Sequence, residues 1–171
     1  EKVVCSPTSG FHHAGWNGTG PFCTFNGLMI AAMRILDSNS EMRVGILDMD
    51  HHYGDGTKEI IERLCAEESI VHATGFWGNP LTLLDSIESV IREMSVDFLF
   101  YQAGADQCVD DPLGGVFTVD QMVERDRIVF ETCKSLDLPV CWNLAGGYQK
   151  DFKKVIEIHR NTMKACVDVF C

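Results

Sequence analysis

The sequence lacks long apolar runs, closely spaced cysteine pairs and linkers rich in proline, glycine or serine, and each absence excludes a class of protein. No apolar stretch approaches the ~20 residues of a membrane helix, and no signal peptide is visible. The eight cysteines are scattered without a C-x-x-C pair, which excludes a cysteine zinc knuckle and favours reduced thiols over a disulfide framework. We therefore expect one globular domain over residues 1–171, without a membrane partner, in the cytoplasm or in the nucleus of a eukaryote.

Basic residues are also scarce, since 14 Lys and Arg face 25 Asp and Glu and give a net charge of −11. Binding of DNA or RNA depends on phosphate contacts from basic side chains, so this balance argues against a direct nucleic-acid partner. An acidic surface is instead compatible with a cationic substrate.

Short apolar runs alternate with amphipathic patterns along the chain. Five runs have the length of strands, namely KVVCS, RVGILDMD, SIVHAT, DFLFYQ and LPVCWNL. Apolar residues spaced three and four apart predict helices over about 22–36, 57–67, 80–94, 118–136 and 150–170. This alternation predicts an α/β fold in which a parallel sheet is flanked by helices in three layers, α/β/α.

Chemically capable side chains follow four of the predicted strands. They are a histidine pair (His12, His13), an acid and histidine group (Asp48, Asp50, His52), an acid pair (Asp110, Asp111) and Tyr148. Each group alone has an ordinary explanation, such as a turn, a helix cap or a surface histidine. Parallel strands end at one edge of their sheet, however, and together these groups could supply three metal ligands, a general base and an oxyanion donor. That combination is typical of a hydrolase.

Five motifs occur in an order that resembles the zinc-dependent histone deacetylases and their acetylpolyamine amidohydrolase relatives. They are GFHHAG, GPFCTFN, LDMDHHYGDGT, GADQCVDDPLG and AGGY. The resemblance extends from about Ser9 to the final predicted helix and implies an arginase-like α/β fold.

For the metal, the resemblance implies that Asp50, His52 and Asp111 bind zinc, with iron as the alternative ion. The family motif usually has an apolar residue where this chain has His51. Strand alternation places Asp50 and His52 on one face and favours His52 over His51 as the ligand. The resemblance also implies a potassium ion near Asp48.

For catalysis, the resemblance implies that His13 is the general base and that Asp55 orients it. It implies that His12 is a hydrogen-bonding and electrostatic partner, supported by Asp48. Tyr148 is then the hydroxyl donor that stabilises the oxyanion.

The resemblance also assigns substrate contacts. Phe22 matches one wall of an acyl-lysine tunnel, Phe11 and the backbone of Gly146 match the acetate pocket, and Phe76 or Trp77 could supply the second wall. The expected substrate is an acetylated lysine peptide or a small acetylated amine. We therefore expect a metal-dependent amide hydrolase that removes acetyl or other acyl groups.

Two other functions remain open at this point. One is a deacetylase-like binding or regulatory module that has lost turnover, which the intact set of candidate residues argues against. The other is an arginase-like ureohydrolase, which would need ligands for a second metal that the motifs do not contain.

The chain is short for the family and begins at Glu1 rather than methionine. We expect the usual N-terminal part to be missing, which would expose an edge of the sheet. A dimer, a partner chain or a larger parent polypeptide is expected to cover that edge.

Overall fold

The computed structural model describes residues 2–171, in which strands and helices alternate along the chain. The strands are β1 (Val3–Ser6), β2 (Val44–Asp48), β3 (Ile70–Ala73), β4 (Phe98–Gly104) and β5 (Val140–Ala145). The helices are α1 (Gly27–Ser38), α2 (Asp55–Leu64), α3 (Pro80–Met94), α4 (Val119–Ser135) and α5 (Phe152–Phe170). One short 3₁₀ turn, Ala105–Gln107, directly follows β4. Every predicted strand and helix is present.

The five strands form one parallel sheet in the order β1-β5-β4-β2-β3. The chain leaves β2 toward β3 at one edge of the sheet and then returns to place β4 on the other side of β2. In open α/β sheets, ligands bind outside the carboxyl ends of the strands at such a reversal. The topology therefore predicts a ligand site among the residues that follow β2 and β4.

Helices cover both faces of the sheet and divide the core in two. On one face α3, α4 and α5 pack together, and the buried side chains include Leu47, Tyr101, Phe130 and Trp142. On the other face α1 and α2 pack over Val44, Ile46 and Phe100. Full burial of each large apolar side chain contributes about 1.5–3 kcal/mol to folding. The predicted three-layer α/β/α fold is confirmed.

Helix α1 begins at Gly27, so its predicted start near residue 22 was wrong. Gly20 and Cys23 pair in an isolated antiparallel bridge, and Phe22 between them has a φ of 57°, which no α-helix accepts. The helix begins where Asn26 can cap it, since the Asn26 side chain accepts a hydrogen bond from the Met29 N–H. The segment before α1 is therefore a loop that approaches the end of the sheet.

The starts of α3 and α4 were predicted correctly from their capping residues. Asn79 accepts hydrogen bonds from the backbone at the start of α3, and Pro80 occupies its first turn. Thr118 and Gln121 form a reciprocal capping box at the start of α4. Of the helices formed by residues 2–171, none is both long and apolar enough to cross a bilayer.

A buried ion pair within α4 is hydrogen-bonded to β4. Arg125 is fully buried, and its Nε lies 2.9 Å from Oδ1 of Asp126. The guanidinium also donates to the carbonyl of Gly104, the last residue of β4, at 2.8 Å. Asp126 accepts further hydrogen bonds from the hydroxyls of Tyr101 and Thr162. This network holds the backbone from which the next turn begins.

Candidate metal centre

The carboxyl ends of β1, β2, β4 and β5 meet at one cleft, as parallel strands require. A cavity of about 270 Å³ opens there. The predicted site residues that line it are Phe11, His12, His13, Phe22, Asp50, Gly146 and Tyr148. Side chains that are distant in the sequence thus line one cavity.

A potential metal cluster consists of Asp50, which lines this cleft, together with His52 and Asp106. Their candidate ligand atoms all lie within 4.8 Å of one another. Nδ1 of His52 is 3.1 Å from Oδ1 of Asp50 and 2.9 Å from Oδ2 of Asp106. Four-coordinate zinc with ligands at about 2.0–2.2 Å separates neighbouring ligand atoms by ~3.3 Å, so these separations are close to those that zinc needs.

The electrostatics of the cluster also fit a cation. The carboxylates of Asp50 and Asp106 are both buried. Burial and the negative charge of Asp50 raise the pKa of Asp106 to about 7. Two carboxylates that share a buried space repel each other unless a positive charge lies between them. One nitrogen and two carboxylate donors therefore suit a divalent ion such as zinc or iron.

The third member of the cluster corrects the sequence-based ligand set, because it is Asp106 and not Asp111. Asp106 lies in the 3₁₀ turn two residues beyond the end of β4, just as Asp50 lies two residues beyond the end of β2. A turn follows over residues 108–111, and both oxygens of Asp111 accept hydrogen bonds from backbone N–H groups instead. The common offset from the strand ends was the signal that could have identified Asp106.

His52 joins the cluster and His51 does not, in agreement with the register favoured from strand alternation. His51 instead contributes its backbone. Its N–H donates to Oδ1 of Asp106 at 3.1 Å, and its carbonyl accepts from Nε1 of Trp77 at 2.6 Å. Trp77 is about half exposed, whereas Phe76 is buried in the core. Neither residue is among those that line the cavity, so the second wall of the substrate tunnel stays a prediction.

Two histidine and aspartate pairs stand beside the cluster, and they are the pairs that the resemblance implied. Nδ1 of His12 is 2.8 Å from Oδ2 of Asp48, and Nδ1 of His13 is 2.6 Å from Oδ1 of Asp55. The two imidazole rings are 4.1 Å apart. Because a carboxylate only accepts hydrogen bonds, each Nδ1 carries a proton. In a neutral imidazole held this way, Nε2 is free to accept a proton.

The two histidines differ in their surroundings. His12 is buried, whereas the side chain of His13 is partly exposed and its partner Asp55 lies largely in solvent. Burial lowers the pKa of His12, but the hydrogen bond and charge of Asp48 outweigh it and raise the pKa to about 9. The contact with Asp48 therefore favours the protonated form of His12, whose Nε2 lies 3.7 Å from Oδ1 of Asp50.

Asp48 is at the centre of a contact network that includes two residues not predicted from the sequence. Its Oδ1 accepts from Nε2 of Gln102 at 2.7 Å and from the Asp50 N–H at 3.2 Å. Nε2 of His72, whose side chain is 7% exposed, lies 3.7 Å from its Oδ2. Burial raises the pKa of Asp48, but the hydrogen bond from His12 outweighs it and holds the pKa well below its ordinary range. The potassium ion expected near Asp48 stays a prediction.

Tyr148 reaches the cleft from the loop between β5 and α5. Its ring centroid lies 5.3 Å from that of Phe22 and 6.0 Å from that of His52. Burial and the nearby charges of Asp50 and Asp106 raise the pKa of Tyr148 above its ordinary value. The hydroxyl therefore keeps its proton at neutral pH and can donate a hydrogen bond.

Glycine is required at position 146, directly beside the metal cluster. A Cβ there would lie 2.3 Å from the carboxyl carbon of Asp106, and the residue has a φ of +51°. Its lack of a side chain lets the loop pass against the carboxylate. Phe11 lines the other side of the cavity and packs against Gly27, while Phe22 is about three-quarters exposed at its entrance.

Comparisons with known proteins find similarity in sequence and in fold to deacetylases. The sequence profile of the histone deacetylase domain matches residues 1–76. Acetylpolyamine amidohydrolase 1 of Pseudomonas aeruginosa is 42% identical over 61 residues, which cover 36% of this chain and 17% of that protein. An uncharacterized protein of Picosynechococcus sp. is 27% identical over 190 residues, which cover 98% of this chain and 63% of that protein.

A solved structure shares the fold over nearly the whole chain. The acetylpolyamine aminohydrolase from Burkholderia pseudomallei superposes with a TM-score of 0.78 at 20% identity and covers 99% of this chain but 57% of its own. The chain thus spans less than two thirds of the length of these relatives. The chain is therefore similar to histone deacetylases over its first 76 residues and to acetylpolyamine amidohydrolases over a shorter segment, and it shares the fold of a solved acetylpolyamine aminohydrolase over nearly its whole length.

Proposed function

We propose that this chain is a metal-dependent deacetylase that hydrolyses the acetyl amide of an alkylamine, on either a lysine side chain or a small amine. The observation that carries the proposal is the convergence, around one cavity, of a metal-capable cluster, two histidine and aspartate pairs and a tyrosine hydroxyl. Each of these groups has a separate task in amide hydrolysis.

Asp50, His52 and Asp106 would hold the metal ion. When bound, zinc supplies a Lewis acid that polarises the amide carbonyl and acidifies a water molecule. The same donor set accepts iron, so the geometry supports a divalent ion without selecting one.

His13 acts as the general base in this proposal. Asp55 holds its Nδ1–H, so Nε2 accepts a proton as water adds to the amide carbon. The same proton then passes to the leaving nitrogen as the C–N bond breaks, which releases acetate and the free amine. His12 lies beside His13 and is held by Asp48, and a positive charge on its ring would stabilise the negative charge that develops on the carbonyl oxygen.

Tyr148 supplies the hydrogen bond to that oxygen. Its raised pKa keeps the hydroxyl as a donor throughout the neutral range. A single donor aimed at a developing oxyanion typically accelerates a reaction by about 10²–10³-fold. Among the aromatic residues that line the cleft, Tyr148 is therefore the one that would donate a hydrogen bond to the oxyanion.

The shape and charge of the cleft suit a slender cationic substrate. The cavity of about 270 Å³ is smaller than most pockets for drug-sized ligands, and Phe22 and Tyr148 flank it as an aromatic pair. An alkyl chain with a terminal acetamide fits such a space better than a bulky acyl group. The net charge of −11 favours substrates with further positive charges, as in basic peptides or polyamines.

The proposal is tested with the purified chain loaded with zinc, an acetyl-lysine peptide and an acetylated diamine. We expect release of acetate from at least one substrate, with loss of turnover and retention of zinc in His13→Ala and Tyr148→Phe. A folded chain that binds zinc yet hydrolyses neither substrate would overturn the proposal in favour of a non-catalytic module.

A further inference from the structure

Asp111 is a buried carboxylate for which the proposed mechanism has no task. It is only 5% exposed and lies in the loop that follows the 3₁₀ turn after β4. Its Oδ2 accepts a hydrogen bond from the Tyr148 N–H at 2.6 Å. Its Oδ1 accepts another from the Leu113 N–H at 3.0 Å. Both oxygens therefore serve backbone groups, one of which belongs to the catalytic tyrosine of the proposed function.

The loop that carries Tyr148 needs such a restraint. It contains Gly146 and Gly147 in succession, with φ values of +51° and +101°. Consecutive glycines allow many backbone conformations, so these two residues alone do not select the one in which Tyr148 faces the cleft. A charged acceptor forms a stronger hydrogen bond with an N–H than a neutral one does. Asp111 applies that bond directly at the residue whose side chain must be oriented.

We infer that Asp111 is a positioning residue that holds the Tyr148 hydroxyl in the cleft through the backbone of Tyr148. The inference rests on the proposed function, in which that hydroxyl stabilises the oxyanion. The bond to Leu113 fixes the carboxylate in its own loop, and the bond to Tyr148 connects the loop between β5 and α5 to that carboxylate. Asp111 belongs neither to the residues that line the cavity nor to the candidate metal cluster.

Substitution of a positioning residue should lower turnover, whereas substitution of a metal ligand should also lower zinc binding. Asp111→Asn keeps the size of the side chain but presents an amide N–H₂ to one of the two backbone N–H groups, so one hydrogen bond is lost. The metal cluster of Asp50, His52 and Asp106 does not include Asp111 and should bind zinc as before.

The matched control is Asp110→Asn at the adjacent position. Asp110 is exposed and pairs with Lys154 at 3.2 Å, without contact to Tyr148. We expect Asp111→Asn to lower kcat by about 10- to 100-fold with little change in KM or zinc content, because misplacement of a catalytic group by about 1 Å can cost 10²-fold. Asp110→Asn should match the wild type in all three measurements.

A double-mutant cycle shows whether Asp111 acts through Tyr148. In a Tyr148→Phe background the hydroxyl is already absent, so Asp111→Asn should lower kcat less than about twofold further. An equal loss of kcat in both backgrounds would overturn the inference, and so would a loss of zinc in Asp111→Asn.

Amide hydrogen exchange tests the same contact without any turnover. The Tyr148 amide of the zinc-loaded wild-type chain should exchange slowly, and in Asp111→Asn it should exchange at least about tenfold faster. If wild-type Tyr148 exchanges as fast as an unstructured peptide, the inference fails whether or not the variant folds. If the wild type lacks deacetylase activity but the amide is protected by Asp111, the proposed function fails and the structural restraint stands.

Discussion

Replacement of Arg125 by methionine should destabilise the fold and weaken the metal centre together. The variant keeps an unbranched side chain but removes the charge opposite Asp126, and both residues are essentially excluded from water. Loss of one partner of a buried ion pair typically costs about 3–5 kcal/mol. Two hydroxyls, from Tyr101 and Thr162, still donate to Asp126, so we expect a value near the lower end, ~3 kcal/mol.

The same substitution removes a hydrogen bond from the Gly104 carbonyl, which immediately precedes the turn that carries Asp106. Groups that hold a metal ligand in place typically change metal affinity by about 10- to 100-fold. We therefore expect Arg125→Met to weaken zinc binding by that factor, although Arg125 contacts none of the cluster's proposed ligand atoms.

Arg127→Met is the matched control, since Arg127 lies on the same helix and pairs with Glu124 and Glu131 at the surface. Exposed pairs contribute roughly 0–1 kcal/mol, so this variant should unfold nearly as the wild type does. Urea unfolding followed by circular dichroism gives the free energy of unfolding, and a competing chelator gives the zinc affinity. A loss below about 1 kcal/mol in Arg125→Met, or equal losses in both variants, would refute the reasoning.

Three further predictions follow from single contacts. Gly146→Ala should lower zinc affinity by more than about tenfold in chelator competition, because its Cβ would meet the Asp106 carboxyl group at 2.3 Å; unchanged affinity would contradict the geometry. Asn26→Ala should lower the free energy of unfolding by about 2 kcal/mol in urea, because the buried amide caps α1 and also bonds Thr57; a loss no larger than that of a surface substitution would count against this role. Thr118→Ala should cost about 1 kcal/mol in the same assay through loss of the capping box on α4, whereas Thr118→Ser should retain most of it.

Most of the fold could be predicted from local sequence patterns. Alternating short apolar runs and amphipathic stretches identified every strand and helix, and Asn79 and Thr118 marked two helix starts. The start of α1 could not be read in this way. It depends on a left-handed Phe22 within a bridge between Gly20 and Cys23, which the apolar spacing does not reveal.

Candidate site residues that lie within the ordered motifs could be predicted from the sequence. Contacts that depend on which strands are neighbours in the sheet could not. The histidine pair, Asp50, His52 and Tyr148 followed from the ordered motifs. Gln102 and His72 were missed because they contact Asp48 only once β4 and β3 lie on either side of β2.

Asp106, the third proposed ligand, was missed for a different reason. Asp106 and Asp111 are both acidic residues in one loop, and composition alone does not distinguish them. The choice depends on where β4 ends and on the 3₁₀ turn that follows, whose start is held by a helix that comes later in the chain. No local pattern contains that information.

The central claim, that Asp50, His52 and Asp106 hold one divalent ion, is tested most directly by zinc stoichiometry in two isosteric variants. The purified wild type and Asp111→Asn should each bind about one zinc ion per chain, whereas Asp106→Asn should bind at least about tenfold more weakly. Full zinc binding by Asp106→Asn, with loss of zinc from Asp111→Asn, would contradict the account.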